Sequence, residues 1–164
     1  GLPPWQALFD EFRTQTGLFP NGRYDLPSLS NPRLAGGMHW TGTEYLAVLK
    51  ALKNNVLLNA SSMTEFLTDR TAAGVPIVYS PVTDIGEEWH YGFGFWHECQ
   101  SPTFNWTPGK RISSPGAYGA YPFWDRTKNY IGIVARQGAL QTGFNGVSVE
   151  RAVRPQVEAW VACQ

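Results

Sequence analysis

The period of the hydrophobic pattern changes along this chain. From Thr41 onward, Tyr45, Val48, Leu49, Leu52 and Val56 recur at three- and four-residue intervals while Lys50 and Lys53 fall off that stripe, which predicts an amphipathic helix. Thr41 and Glu44 stand at capping-box spacing, so a hydroxyl and a carboxylate can each satisfy an amide left over at the helix start. A second helix is predicted from Ser62-x-x-Glu65, with Met63, Phe66 and Leu67 on one face and an end near Arg70. Ahead of both, residues 1–37 read as irregular. They have room for a short helix over Trp5 to Thr14, followed by a long loop punctuated by Asn21-Gly22, prolines and the Gly36-Gly37 pair.

Past residue 88 the pattern shortens to the two-residue period of strands. WHYGFGFWHEC (89–99) reads as one strand interrupted by Gly92 and Gly94, and SPTFNWTPGK (101–110) as its connection, closed by a Pro-Gly turn. RISSPGAYGAYPFW and YIGIVARQ then form two long antiparallel strands joined by DRTKN. VERAVRPQVEAWVACQ (149–164) is a C-terminal helix with Val153, Val157, Trp160 and Val161 inward, Pro155 lying in its first turn or kinking it. The order gives an α+β fold: an antiparallel sheet with a three-strand C-terminal meander, flanked by helices and contained in residues 38–164. YIGIVARQ is apolar and lacks proline or an inward charge. It makes a poor free edge and is predicted to pair with something beyond the meander.

One strand is odd. Ser113, Ser114, Gly116, Ala117, Gly119 and Ala120 crowd the first half of the stretch 111–137 with small side chains, where a strand built only to fill a core would use branched and aromatic ones. Something has to approach that backbone closely.

At 164 residues, 43% hydrophobic and 14% aromatic, the chain is large and apolar enough for one domain with a real core. Thirteen basic and thirteen acidic residues cancel, which leaves no electrostatic footprint for nucleic acid or an anionic membrane. No apolar run reaches bilayer length. GLPPWQALFD has neither the basic start nor the apolar stretch of a signal peptide, although a processed chain would look the same. Cys99 and Cys163 are either two buried thiols or a disulfide tying a strand end to the last helix. The triplets Asn59-Ala60-Ser61 and Asn105-Trp106-Thr107 fit an extracellular setting, with Pro108 weakening the second.

A search for chemistry inside the chain finds no complete catalytic set. Ser-x-x-Lys, Gly-x-Ser-x-Gly and Tyr-x-Asn are all missing. His39, His90 and His97 sit among aromatics and read as structural. His97 with Cys99 falls short of a four-ligand site, so no metal is expected. Glu87-Glu88 reads as a solvated turn, and no glycine-rich loop leads into a helix to cradle a phosphate or cofactor.

Taken in order, NPRLAGGMHWTGTEYLAVLKALKNNVLLNASSMTEFLTDRT, YGFGFWHEC and SSPGAYGAYPFWDRTKNYIGIVARQ resemble the C-terminal part of the serine β-lactamase and penicillin-binding protein superfamily. The resemblance is to its class C β-lactamase-like esterases and D-alanyl carboxypeptidases, and it runs from Asn31 to the C-terminus. In that family a small-residue strand walls the active-site cleft, the substrate lies along it as an added strand would, and one of its amides donates to the oxyanion. The resemblance implies that Ser114-Pro115-Gly116 stands where the family has Lys/His/Trp-x-Gly. It makes Ala117 N–H the oxyanion donor, and Ser114, Gly116 and Tyr118 substrate-binding.

Two departures matter. Ser114 supplies no positive charge, which points to esters, amides or D-amino-acid peptides rather than penicillins, and Pro115 favours an edge position. The family's Ser-x-x-Lys nucleophile and Tyr-x-Asn element belong to an N-terminal half that this sequence does not contain. The resemblance therefore implies a serine hydrolase working through an acyl-enzyme, without cofactor, and the expected location is extracellular or periplasmic. Its nucleophile would be supplied by an N-terminal portion acting as a second chain. The alternative is a non-catalytic peptide- or glycan-binding module using the same cleft, with Trp89, Trp96, Trp106 and Trp124 as binders.

Overall fold

A computed structural model of the protein describes residues 5–25, 33–34, 36–71, 74–104 and 111–164. Helix α1 (Trp5–Thr16) buries Phe9, which joins Leu18 and Phe19 in a small core with Tyr24, Met38 and Tyr45 around it. Strands β1 (Arg23–Tyr24) and β2 (Met38–His39) pair antiparallel and lead the chain into helix α2 (Gly42–Lys53). The predicted capping box is present: Glu44 N–H donates to Thr41 Oγ1 (3.3 Å) and Thr41 N–H to Glu44 Oε2 (2.8 Å). Glu44 Oε1 also accepts from Asn21 N–H at 2.7 Å, fixing the preceding loop to the helix start. Burial pulls the Glu44 carboxyl upward, but the amides of Thr41 and Asn21 and the Thr41 hydroxyl outweigh it and hold the group below its ordinary pKa.

Helix α3 (Ala60–Phe66) begins earlier than the sequence suggested. Its cap is Asn59, whose Oδ1 accepts from Ser62 N–H at 2.9 Å, so the asparagine of the first glycosylation-type triplet holds a helix end. The segment expected as one strand over 89–99 is folded back on itself. Strands β3 (His90–Tyr91) and β4 (Trp96–His97) are joined by a turn that Gly92 N–H closes onto Phe95 O (2.9 Å), with Gly94 at φ +80°. Glycine takes that left-handed conformation without steric cost, so the two glycines make a hairpin rather than a flawed strand.

Strands β5 (Arg111–Ser113), β6 (Tyr121–Asp125) and β7 (Tyr130–Val134) complete a five-stranded antiparallel sheet in the order β3-β4-β5-β6-β7. The predicted three-strand meander changes here too: the single strand expected over 111–124 is two, β5 and β6, folded back on each other through residues 114–120. By the register, Arg111, Ser113, Tyr121, Phe123, Asp125 and Tyr130 share one face, and Ile112, Pro122, Trp124, Ile131 and Ile133 the other. Helix α4 (Gly143–Val161) packs on the first face, where Val147 meets Trp89, Tyr121, Phe123 and Tyr130 in the main core. Helix α2 packs across β6 and β7, with Gly42 against Ala135. The outer edge of β7 has no strand beside it among the described residues.

Helix α4 starts six residues before the predicted VERAVRP, which turns its inward stripe. Gly146, Val147 and Glu150 are buried and Val157 and Val161 half-buried, while Val153 and Trp160 face solvent at 48% and 65% exposure. Pro155 lies well inside the helix, not in its first turn. No helix among the described residues is long and apolar enough to cross a membrane.

Candidate functional site

The small-residue stretch is a hairpin tip. Beyond β5 the ladder to β6 continues irregularly: Ser114 N–H donates to Pro122 O (3.1 Å) and Gly116 N–H to Ala120 O (2.8 Å). Gly119 N–H closes a turn onto Gly116 O (2.9 Å), and Gly119 takes φ +91°, the left-handed residue that ends a three-residue hairpin loop. Successive residues of a strand aim their amides at opposite edges. With Ser114 and Gly116 aimed at β6, Pro115 faces the other edge, and Ala117 follows as the first corner residue of the turn. Strand β4 covers that edge only as far as Ser113, which pairs with Trp96, because the chain then turns away into the β3–β4 hairpin. Among the described residues no strand pairs with the edge beyond Ser113, and the Ala117 amide in the turn has no hydrogen-bond partner. Ala117 and Tyr118 are exposed; Ser114, Pro115 and Gly116 are half-buried.

Two causes of smallness separate here. Gly119 and Gly146 are small because helix and hairpin touch: a Cβ on Gly146 would collide with Gly119 O, and one on Gly143 would lie 3.2 Å from Gly116 O. Gly116 is different. A Cβ there would meet only Ala120, at an ordinary 3.7 Å, and its backbone needs no positive φ. No described part of the chain demands a glycine at 116.

Between the sheet and α4, centred at the end of the β5–β6 hairpin away from the tip, lies a buried polar network. Arg111 donates to Glu150 Oε1 (2.5 Å), Asp125 Oδ2 (3.3 Å) and Tyr130 Oη (2.6 Å) and stacks on Phe123 with Cζ 4.2 Å from the ring centroid. Arg154 caps Glu150 from the next turn of α4 (2.6 Å), and the Tyr121 hydroxyl donates to Glu98. Burial pushes Glu98 above the ordinary carboxylate range, against the opposing pull of Ser113, Tyr121 and Arg111. Burial also raises Tyr121, and the charge of Glu98 adds to that. The folded state thus holds the Glu98 proton more tightly than the unfolded chain does. Its contribution is most favourable at and below the ordinary value of 4.5 and is lost as pH rises through the folded pKa. Glu98→Gln, which keeps the bond from Tyr121, should gain stability relative to the parent chain as pH climbs above 4.5, measured by urea unfolding at a series of pH values.

Other expected roles change. Glu87 is not a solvated turn: it takes a bidentate pair from Arg151 (2.7 and 2.9 Å) and the Trp89 indole N–H (2.8 Å), tying the start of β3 to α4. Glu88 accepts from Phe104 N–H at 3.0 Å. Both cysteines are thiols, so the Cys99–Cys163 disulfide is not made: Cys99 is buried with Sγ 3.6 Å from Thr103 O, and Cys163 is exposed at the end of α4. His39 bonds Asp25 (2.9 Å), His90 bonds Asp69 (2.5 Å) and stacks on Phe104, and His97 is fully buried with burial depressing its pKa. Trp89 is fully buried and Trp96 packs against the core, which removes two of the four tryptophans a binding surface would use. Trp106 and the second glycosylation-type triplet lie outside the described residues.

No protein-family profile and no curated protein matches this chain. The fold is similar to a solved structure titled as a "putative beta-lactamase" from Bacteroides dorei DSM 17855, with a TM-score of 0.64 and 20% identity over 89% of this chain. At that identity the likeness is one of fold, a β-lactamase-like α+β arrangement. The match covers 50% of the neighbour, so this chain spans about half its length.

Proposed function

We propose that this chain is the C-terminal part of a serine hydrolase of the β-lactamase and penicillin-binding protein type, of the class C-like esterase or D-alanyl carboxypeptidase kind. It would act on esters, amides or D-amino-acid peptides in an extracellular or periplasmic setting. The observation that supports this best is the backbone edge beyond Ser113, unpaired among the described residues, with a glycine at 116 that no described neighbour requires. An extended acyl substrate laid on that edge gains main-chain hydrogen bonds, and a side chain at 116 would stand in its way. The neighbour of twice this length and the unpaired outer edge of β7 support a partner portion that adds strands there and brings the Ser-x-x-Lys serine to face Ala117.

In this reading the serine hydroxyl, its proton taken by the lysine, attacks the acyl carbonyl. The oxygen gathers negative charge and is met by Ala117 N–H. The C–O or C–N bond to the leaving group then breaks as that group takes a proton, and water releases the acyl group from the serine.

The test is covalent labelling. The native sample is resolved by intact mass and treated with a fluorophosphonate probe, alone and with its source extract. Label on a Ser-x-x-Lys serine of a copurifying or contiguous polypeptide is expected, and Gly116→Val should slow that labelling while leaving thermal unfolding unchanged. An 18.3 kDa species by itself that takes no label, or a label rate indifferent to Gly116→Val, sinks the proposal.

A further inference from the structure

We infer that Arg136, two residues past β7, is a positioning residue that clamps the hairpin tip bearing the Ala117 amide. Its Nη1 donates to Tyr118 O at 2.9 Å and to Thr142 Oγ1 at 2.7 Å, bridging the tip to the start of α4. Tyr118 O accepts a second bond from Gly138 N–H at 2.7 Å, so the carbonyl one residue beyond Ala117 is held twice from the C-terminal side.

Three features mark this as more than a surface contact. Thr142 occupies the N-cap position of α4, where a threonine hydroxyl ordinarily accepts from the helix's own amides. Here it makes no such bond: it donates to Ala139 O (2.7 Å) and accepts from Arg136. The helix forgoes its side-chain cap to hold the arginine. Second, Arg136 has no carboxylate partner among the described residues, whereas Arg111, Arg151 and Arg154 each have one. Its polar contacts are to the tip and to Thr142. Third, side chains at Gly119 and Gly138 would run into the Arg136 guanidinium, so both glycines leave room for it.

A hairpin tip is the part of a sheet most ready to fray, because only a few local bonds hold it. An oxyanion donor works only if its N–H is aimed before charge develops. Fixing the Tyr118–Gly119 peptide from behind restricts the rotation by which the Gly116–Ala117 peptide could turn away. The clamp is argued from contacts alone; its catalytic meaning rests on the hydrolase reading.

The experiment has two arms, run on Arg136→Ala and, as a variant that keeps the charge, Thr142→Val. In the 164-residue chain, NMR amide exchange should speed about tenfold at Gly116, Gly119 and Gly138, with Phe123 and Gly132, a directly opposed pair in the β6–β7 ladder, unchanged. In the protein including the nucleophile portion, kcat for p-nitrophenyl acetate should fall about tenfold with KM unchanged, and added guanidinium ion should restore part of it for Arg136→Ala. Unchanged tip exchange, or exchange that rises equally in the ladder, overturns the clamp. If the tip loosens but kcat holds, the positioning role falls and the hydrolase reading stands. A loosened tip in a protein with no hydrolysis at all sinks the hydrolase reading and leaves the clamp.

Discussion

On the proposed hydrolase reading, replacing Ala117 by proline is expected to slow acylation by about 10²–10³-fold while leaving the fold in place. Residue 117 is the second residue of the Gly116–Gly119 turn, a position where proline's fixed φ is welcome, and the preceding glycine tolerates the added ring. The substitution therefore deletes one hydrogen-bond donor and little else. That donor makes no bond to any described residue, so no internal interaction is lost with it. The measurement is the rate of fluorophosphonate labelling or of p-nitrophenyl ester hydrolysis by the protein including the nucleophile portion, with thermal unfolding followed in parallel. An Ala117→Pro protein that acylates at the parent rate would remove Ala117 from the oxyanion site.

The second large effect is on stability. Arg111→Ala should destabilise the fold by about 3–5 kcal/mol, read from urea unfolding, because it leaves carboxylates buried without their cation. Arg111 and Glu150 are 5% and 4% exposed, and Arg111 also neutralises Asp125 and satisfies the Tyr130 hydroxyl. Arg154 remains on Glu150 in the variant but reaches neither Asp125 nor Tyr130 in the present geometry. The pair substitution Arg111→Met with Glu150→Met, which removes both charges and fills similar volume, should recover part of the loss. A single variant that unfolds at the parent urea concentration would mean that water reaches this network.

What was legible in the residues was local. Thr41 and Glu44 announced their own helix because a capping box is complete within four positions. The β6–β7 pair was legible because alternating apolar positions flank a short polar turn, and the observed ladder joins Tyr121–Asp125 to Tyr130–Val134. The β3–β4 and β5–β6 hairpins each read as one strand in the sequence, although glycines interrupt both. Glycine in a strand signals either a flaw or a reversal, and only the backbone dihedrals choose. The start of α4 was missed for a related reason: Thr142 sits at the cap position without making the bond that the usual signature assumes.

The candidate site divides in the same way. The concentration of small residues, and with it the stretch Ser114–Tyr118, could be picked out from sequence. That Gly119 and Gly146 are small for each other's sake, and Gly116 for no described neighbour, could not. Arg136 and Thr142 raised no signal at all, since neither lies in a motif and they serve a carbonyl 18 residues away from the arginine.

By itself the sequence determined the α+β class, helix α2, the β6–β7 pair and the small residues that extend strand β5, because period, capping and side-chain size act over a few bonds. Only the tertiary structure decided which edge of that strand has no strand beside it among the described residues, which charges are buried together, and what holds the tip. Glu98 meets Tyr121 from 23 positions away, and Arg111 meets Glu150 from 39. Such pairings are set by how sheet and helix pack, and the strength of each depends on the water that packing excludes.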